Sequence, residues 1–285
     1  MKGKSAALCF IPAICAVLLL FASVALFSGS PSDARDLALR LVWSDEFDRD
    51  GLPDSSKWDY EVGYVRNSEL QYYTKARLEN ARVEKGTLII EGRNDDYTIP
   101  EGPLAGKTAA CTSASLITRG RASWRYGRLE VRARLPHGRG VWPAIWTLGN
   151  SIDQCSWPAC GETDIMEFVG HTPGRIYATV HYLSEGRHSS SGSSLEVTRP
   201  WDDFHVYVLE WTPEKMEFYF DSDRYHTFQV RSADDRGRNP FRLPHYLLLN
   251  LALGGTWGGV MDDSALPQRL LVDYVRVYQR PGADY

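Results

Sequence analysis

The centre of the sequence reads Gly161-Glu162-Thr163-Asp164-Ile165-Met166-Glu167-Phe168-Val169-Gly170. Its three carboxylates stand among residues that otherwise favour a β-strand. In a regular strand Glu162 and Asp164 point to one face and Glu167 to the other, because side chains alternate. One extra residue, bulged at Ile165 or Met166, would bring all three acids to the same face. We therefore predict a bulged strand that lines a polar cleft.

Short segments of alternating character recur on both sides of this strand, each bounded by Gly, Pro, Asn or Asp. The predicted strands are Thr87–Glu91, Gly127–Leu135, Arg175–Tyr182, His205–Trp211, Met216–Phe220, Tyr246–Leu253 and Leu271–Tyr278. Thr212–Lys215 predicts a hairpin turn, and Ser189–Ser194 a surface loop. No stretch beyond residue 40 has an apolar period of 3.6. The fold class is therefore all-β, an antiparallel β-sandwich or jelly roll in one domain.

The strand Tyr246–Leu253 is apolar on both of its alternating sets except at Asn250. Such a pattern is typical of a central strand that is covered on both faces. We expect Asn250 to point into the polar cleft.

The first residues are typical of a targeting segment rather than of a folded domain. Lys2 and Lys4 precede an apolar run from about Ala6 to Phe27, and residues 30–38 form a polar linker. Residues 1–29 are therefore a signal peptide or, since the run is long enough to span a bilayer, an uncleaved membrane anchor. We expect the protein to be secreted or periplasmic, or else anchored and facing outward.

Three cysteines follow the apolar run. In an oxidising compartment Cys155 and Cys160 can close a short loop, or Cys111 can take one of them. Metal binding by these thiols is disfavoured, because no His stands at ligand spacing beside them.

Charge and aromatic content restrict the kind of ligand. The net charge is −4 and no Lys/Arg cluster is present, which speaks against nucleic acid and favours a neutral substrate. The chain has nine Trp and fifteen Tyr, more aromatic bulk than packing needs, so we expect a ligand with flat apolar faces.

A pair of glutamates in a cleft can hydrolyse a glycosidic bond by double displacement. Glu162 would attack the anomeric carbon, while Glu167 would protonate the leaving oxygen and then deprotonate water. Repulsion among the three acids raises the pKa of at least one of them, and Asp164 can share a hydrogen bond with Glu162. The bland alternative is a solvated acidic strand or a cation site.

The acidic segment closely resembles the G-E-I-D-I-M-E signature of glycoside hydrolase family 16, with Thr163 where Ile is usual. Thr163 is expected to face away from the cleft. Further segments resemble the family's in the same order: Trp43–Phe47, Asn67–Thr74, Tyr126–Glu130, Trp142–Trp146, Gly254–Gly259 and Val272–Tyr278. The resemblance implies a concanavalin A-like jelly roll whose concave face binds the glycan, and retaining chemistry.

The E-x-D-x-x-E spacing is similar to that of the laminarinase-like members. The resemblance thus implies that residues 39–285 are the catalytic domain of an endo-acting 1,3-β-glucanase, with 1,3-1,4-β-glucan as a further substrate. The alternatives are a non-catalytic β-glucan recognition protein, and a galactanase or transglycosylase on the same fold. We expect a monomer whose partner is the polysaccharide, and no cofactor for catalysis.

Aromatic and polar residues supply the substrate-binding candidates. Trp142 and Trp146 lie on one side of a strand and Trp257 in a Gly-rich loop, with core packing as the alternative. Pro143 predicts a bend or bulge between the first two. The polar candidates, each of which can equally serve a structural role, are Asn67, Arg128, His181 and Asn250.

Two further expectations concern the strand surfaces. Glu130 with Arg132 and Arg134 is most simply surface ion pairing. The resemblance places one structural calcium ion, found in many members, at Asp273 and the backbone carbonyls of Glu46 and Gly86.

Overall fold

The computed structural model describes residues 39–282, so the predicted targeting segment and linker lie outside the described residues. Within the described part, no helix combines the length and the apolar character needed to cross a bilayer. The strands are β1 (Arg40–Asp45), β2 (Asp59–Glu61), β3 (Tyr72–Tyr73), β4 (Ala81–Glu84), β5 (Thr87–Thr98), β6 (Thr108–Ser113), β7 (Ser115–Ile117), β8 (Gly127–Arg134), β9 (Val141–Gly149), β10 (Glu162–Phe168), β11 (Arg175–Ser184), β12 (Arg187–Glu196), β13 (His205–Trp211), β14 (Lys215–Phe220), β15 (Asp223–Gln229), β16 (His245–Leu253) and β17 (Gln268–Gln279).

Helical structure in residues 39–282 is confined to single turns. These are α1 (Ile152–Cys155), α2 (Gly255–Gly258) and three 3₁₀ turns, at Val230–Ala233, Pro240–Arg242 and Asp263–Ala265. The predicted all-β class is confirmed.

Two sheets stack face to face. The outer sheet follows the order β15-β14-β13-β8-β17-β5-β6-β3, with β1 on β17 and β4 on β5. The cleft sheet follows the order β12-β11-β10-β9-β16-β7-β2. Neighbours pair antiparallel except β3 and β6. The fold is therefore the predicted antiparallel sandwich, and the acidic strand β10 lies inside the cleft sheet between β9 and β11.

The core fills the space between the sheets. Buried residues alternate with more exposed ones along β8 and β11, as expected for strands with one face on the core. Leu129 and Val131 of β8 belong to the same apolar cluster as Met166 and Phe168 of β10. Each side chain of this size stabilises the fold by about 1.5–3 kcal/mol when it is fully buried. This core holds the acidic strand in place from behind.

The central strands β9 and β16 are buried at every residue. The expectation of a strand covered on both faces is confirmed for β16. A bulge at Pro143, one of the two predicted irregularities, is absent, because β9 pairs with β16 through Pro143↔Leu251 without a register shift. Leu251 donates its backbone N–H to the Ala114 carbonyl, on the side away from β9. The missing N–H of Pro143 therefore costs no hydrogen bond to Leu251.

The region Ser189–Ser194 was expected to be a surface loop, and that prediction is wrong. These residues lie in β12, which pairs with β11 residue by residue from Arg175↔Glu196 to Ser184↔Arg187. A continuous ladder to a neighbouring strand outweighs the weak intrinsic preference of serine. The hairpin turn at Thr212–Lys215 is confirmed between β13 and β14, and Thr212 N–H donates to the Lys215 carbonyl at 2.8 Å.

Candidate active site

The acidic strand contains the predicted bulge. Toward β9 the register passes from Asp164↔Trp146 to Met166↔Ile145, which leaves Ile165 as the extra residue. Toward β11 the register also shifts between Asp164 and Glu167. The bulge changes the alternation, so that Glu162, Asp164 and Glu167 all line one cavity while Ile165 is buried in the core. Thr163 is buried too and donates its hydroxyl to Met216 of the outer sheet, so it faces away from the cleft as expected.

A glycine begins this strand. Gly161 has φ +76°, and a Cβ there would lie 2.7 Å from the Cβ of Pro240. Both the left-handed backbone and the close approach require glycine. Gly161 therefore allows the chain to turn sharply from the preceding loop into Glu162.

The cavity has a volume of about 460 Å³ and is lined by the three acids and by aromatic and polar side chains from neighbouring strands and loops. Of the predicted substrate-binding residues, it is lined by Asn67, Trp142, Trp146 and Asn250. Residues from β9, β10 and β16 thus line one cleft, together with Asn67 from the loop before β3.

Burial raises the pKa of all three acids. For Glu162 it is the largest cause of a pKa of about 8, and the charge of Asp164 adds to it, whereas His181, Arg66 and a hydrogen bond from Trp157 oppose it. Burial likewise raises the pKa of Asp164 to about 8. The pKa of Glu167 lies well above its ordinary value, first through burial and then through the charge of Asp164. Repulsion among the acids was expected to raise the pKa of at least one of them. The charge of Asp164 does raise the pKa of Glu162 and Glu167, but less than burial does.

His181 lies against the acids from β11. Its Nε2 is 3.3 Å from Asp164 Oδ2 and 3.9 Å from Glu162 Oε1. On the other side its Nδ1 is 3.0 Å from Nε2 of His188, a residue of β12. His181 is therefore in direct contact with the acidic cluster.

Two indoles make different contacts. Trp142 Nε1–H donates to Glu167 Oε1 at 3.0 Å, a bond that favours the ionised form of Glu167. Trp146 Nε1–H donates to Asn250 Oδ1 at 2.7 Å, and Asn250 Nδ2–H donates to the Tyr73 hydroxyl at 3.0 Å. Trp142 thus tunes an acid, while Trp146 shapes the cleft wall.

Trp257, a predicted substrate-binding residue, does not line this cavity; it is partly buried and contacts the cleft through Trp142. Its ring packs edge-on against Trp142, with 5.5 Å between centroids, and against Tyr177 at 5.0 Å. It orients the Trp142 indole, and through it the donor to Glu167.

The prediction that Arg128 binds substrate is wrong. Arg128 lies on β8 of the outer sheet, where it pairs with Glu130 and Glu210 at 2.5 Å each. Side-chain alternation on β8 points Leu129 and Val131 to the core and Arg128 away from it. Glu130, Arg132 and Arg134 were expected to pair with one another on the surface, but Glu130 pairs with Arg128, Arg132 pairs with Asp273, and the Arg134 guanidinium lies over the Phe204 ring.

The predicted calcium ligands lie on neighbouring segments of the outer sheet. Glu46 follows β1, Gly86 lies in the β4–β5 turn, and both β1 and β5 flank β17, which carries Asp273. The oxygen donors fit the preference of calcium, yet the Asp273 carboxylate is paired with Arg132 Nη1 at 2.6 Å. An ion there must therefore compete with Arg132.

The cysteine pairings considered from the sequence are absent among the described residues. Cys111, Cys155 and Cys160 are all free thiols.

Sequence reasoning missed several residues of the cleft. The Arg66 guanidinium lies over the Trp146 ring at 4.9 Å and is ion-paired with Glu61. Glu69 accepts hydrogen bonds from Gln71 Nε2 at 2.7 Å and from the Tyr73 hydroxyl at 3.2 Å. Arg66, Glu69, Gln71 and Tyr73 lie in or next to the recognised segment Asn67–Thr74, from which only Asn67 was predicted to bind substrate.

Trp157 lies in the loop between β9 and β10. It lines the cavity and is also a hydrogen-bond partner of Glu162.

Comparisons with known proteins agree with this geometry. The family model for glycosyl hydrolases family 16 matches residues 70–276. A β-glucanase of Rhodothermus marinus is 48% identical over 262 residues, which cover 87% of this chain and 88% of that protein. A glucan endo-1,3-β-glucosidase A1 of Niallia circulans is 35% identical over 88% of this chain and 39% of its own length. The X-ray structure of the laminarinase from Rhodothermus marinus superposes with a TM-score of 0.77 at 47% identity, over 86% of this chain and 99% of that one.

Proposed function

The chain belongs to glycosyl hydrolase family 16, and from this premise we propose that it is a retaining endo-1,3-β-glucanase that also accepts 1,3-1,4-β-glucan. The observation that carries the proposal is the bulge in β10, which brings Glu162, Asp164 and Glu167 into one cavity. Two acids on one face of a cleft, each able to reach the same bond, are what a double displacement needs.

The environments of the two glutamates assign their roles. His181, Arg66 and Trp157 all favour the ionised form of Glu162, whose pKa is about 8. Glu167 has a pKa raised well above its ordinary value, and Trp142 is the hydrogen-bond donor that opposes the rise. Because Arg66 and Trp157 favour ionised Glu162 in addition to His181, we assign Glu162 as the nucleophile and Glu167 as the proton donor.

The reaction then runs in two steps. Glu162 attacks the anomeric carbon, the glycosidic bond breaks, and Glu167 gives its proton to the departing oxygen. Glu167, now ionised, takes a proton from water, whose oxygen attacks the same carbon and releases Glu162. Two inversions leave the anomeric configuration unchanged. Asp164 lies beside both glutamates, so its charge and its proton affect the pKa of each of them.

A neutral glucan fits the cleft walls. Trp142 and Trp146 offer indole faces and edges to sugar rings, and Asn67 and Asn250 offer polar groups to hydroxyls. The Arg66 charge is compensated by Glu61. These contacts favour a neutral glucan over a sulfated galactan, and the intact glutamates favour hydrolysis over recognition alone.

We also propose that the protein is exported and acts as a monomer, with residues 1–29 as a cleaved signal peptide or an outward-facing anchor. The apolar run after Lys2 and Lys4 supports export. Amino-terminal sequencing of the protein recovered from medium and membrane fractions distinguishes cleavage from anchoring, and light scattering gives the mass in solution.

A structural calcium ion is a further proposal. The Asp273 carboxylate and the Glu46 and Gly86 carbonyls would hold it, and its contribution would be to stability, not to a chemical step. An increase in Tm with calcium that EDTA reverses and that Asp273→Asn removes would support it. A Tm that is indifferent to both calcium and EDTA would contradict it.

The substrate is tested by incubating the purified protein with laminarin, lichenan and agarose and separating the products by chromatography. We expect rapid release of a ladder of oligosaccharides from laminarin, slower release from lichenan, and none from agarose. Products from agarose alone would favour the galactanase alternative, and binding of laminarin without products would favour the recognition protein.

A further inference from the structure

Three groups of the active site lie at metal-binding distances. One carboxylate oxygen of Glu162, one of Asp164 and one ring nitrogen of His181 all lie within 4.8 Å of one another. An ion such as Zn²⁺ is about 2.0–2.2 Å from each nitrogen or oxygen ligand, so ligands around one ion are roughly 3–4 Å apart. Small side-chain movements are enough to bring these three atoms around a common centre.

Asp164 provides a second, independent sign of a ligand. Asp164 is only 4% exposed, and its buried Oδ2 has no hydrogen-bond partner. Buried polar atoms are almost always paired in folded proteins, so an orphan oxygen needs an explanation. This oxygen lies 3.3 Å from His181 Nε2, which places it inside the group of three.

His188 prepares His181 as a ligand. Nδ1 of His181 is 3.0 Å from Nε2 of His188, and the two rings are stacked, with centroids 5.2 Å apart and planes at 23°. When His181 donates its Nδ1–H to His188, its Nε2 lone pair faces the two carboxylates. Metal-ligating histidines are held in one tautomer by such a contact on the other ring nitrogen.

From these contacts we propose that Glu162, Asp164 and His181 bind one transition-metal ion of the Zn²⁺ type, which excludes the glycan and stops hydrolysis. One imidazole with two carboxylates suits Zn²⁺ better than Ca²⁺, which takes oxygen ligands alone. Three protein ligands leave a fourth position for water. A Glu162 oxygen that is bound to the ion no longer attacks a sugar. The metal site stands on the geometry alone, while the inhibition rests on the proposed hydrolase.

The site is tested by titrating Co²⁺, a spectroscopic substitute for Zn²⁺, into the purified protein. We expect one Co²⁺ per chain, visible absorption typical of nitrogen and oxygen ligands, and displacement by Zn²⁺. His181→Ala should weaken Co²⁺ binding at least tenfold. His205→Ala is the matched control, because His205 also faces a carboxylate, Asp221 Oδ2 at 2.8 Å, and its loss should leave the titration unchanged.

His188 gives a variant that leaves the three ligands in place. His188→Leu should weaken Co²⁺ binding by about 10–100-fold, the usual effect of removing the partner of a metal-bound histidine. His188→Gln keeps an acceptor for the His181 Nδ1–H and should restore most of the affinity. Equal Co²⁺ affinity in His181→Ala and the parent would overturn the site, and so would thiolate-to-cobalt charge-transfer absorption, which would place the ion on cysteine.

Inhibition is measured separately. Zn²⁺ should inhibit laminarin hydrolysis competitively, and EDTA should restore the rate. Full activity at a Zn²⁺ concentration that displaces all Co²⁺ would overturn the inhibitory role. If the protein cleaves no glucan at all, the proposed function fails, while the cobalt titration still decides on the metal site.

Discussion

The two sheets treat their carboxylates in opposite ways. In the outer sheet Glu91 is paired with Arg82, Arg93 and Arg269, and its side chain is only 5% exposed. Also in the outer sheet, Glu217 has a lowered pKa, mainly through a hydrogen bond from Lys215, with Arg224 also contributing. Each outer acid is thus compensated by cations.

The acids of the cleft sheet have little such compensation. Asp164 is buried, Glu162 and Glu167 are partly buried beside it, and all three have raised pKa values. Their placement lowers stability at neutral pH, because a buried carboxylate without a cation is unfavourable. Acids in the outer sheet are thus paired with cations that stabilise the fold, whereas acids in the cleft have raised pKa values that suit them to proton transfer.

The largest expected effect follows from removing either glutamate. Glu162→Gln and Glu167→Gln should each lower kcat on laminarin roughly 10³-fold or more, since one removes the nucleophile and the other the proton donor. Neither change should lower Tm, because each removes an uncompensated acid. Initial rates and thermal melts check this, and a rate within tenfold of the parent in either variant would refute the role given to that residue.

Asp164→Asn should lower kcat by about 10–100-fold and shift the pH profile of kcat/KM downward. Ionised Asp164 raises the pKa of Glu167, so its replacement by a neutral amide lowers that pKa at the pH values where Asp164 would be charged and moves the basic limb to lower pH. An unchanged or upward-shifted profile would show that Asp164 does not act on the glutamates through its charge.

The same variant has a consequence for stability. Asp164 keeps a proton up to a pKa of about 8 in the folded state, whereas the ordinary value is 3.8. Between those pH values the folded state binds more protons than the unfolded one, so parent stability falls as pH rises. Asp164→Asn should therefore melt about 2–4 °C above the parent at pH 8 and show no advantage below pH 4.

Trp142→Phe tests the tuning of a single acid. Loss of the donor at 3.0 Å removes a bond that favours ionised Glu167, so its pKa rises further and the basic limb of kcat/KM moves to higher pH. We expect a loss in kcat of about tenfold. Trp146→Phe is the matched control, because its Nε1–H donates to Asn250. A shift of equal size in both variants would indicate a general change in cleft shape.

The smallest effect on activity is expected in the outer sheet. Glu91→Gln removes the buried carboxylate that Arg82 and Arg269 share and should lower the free energy of unfolding by about 1–3 kcal/mol. Its kcat should stay within about twofold of the parent. Denaturant unfolding gives the stability and initial rates give kcat. A large loss of activity at unchanged stability would contradict the claim that acids of the outer sheet serve stability alone.

Much of this contrast could be read from the sequence. The period of a β-strand and the positions of Glu162, Asp164 and Glu167 require a bulge if the acids are to converge, and the structure has it at Ile165. The apolar run around Asn250 likewise predicted a central strand with one polar residue in the cleft. Both predictions depend on local alternation, which the sequence carries directly.

The errors depend on pairing between distant strands. Alternation predicts that β8 has two faces, but it does not tell which sheet β8 joins, and Arg128 was therefore placed in the wrong layer. The serine-rich segment was predicted as a loop because its pairing with β11 is invisible in its composition. That error also concealed His188, which reaches His181 only through this ladder.

The central claim is that the uncompensated acids of β10 cleave β-glucan with retention. It is tested most directly by following laminarin hydrolysis by proton NMR and recording the first anomer formed at the new reducing end. We predict the β-anomer first, with the α-anomer appearing only at the rate of mutarotation. The α-anomer as first product, or no new reducing ends at all, would contradict the assignment of Glu162 and Glu167.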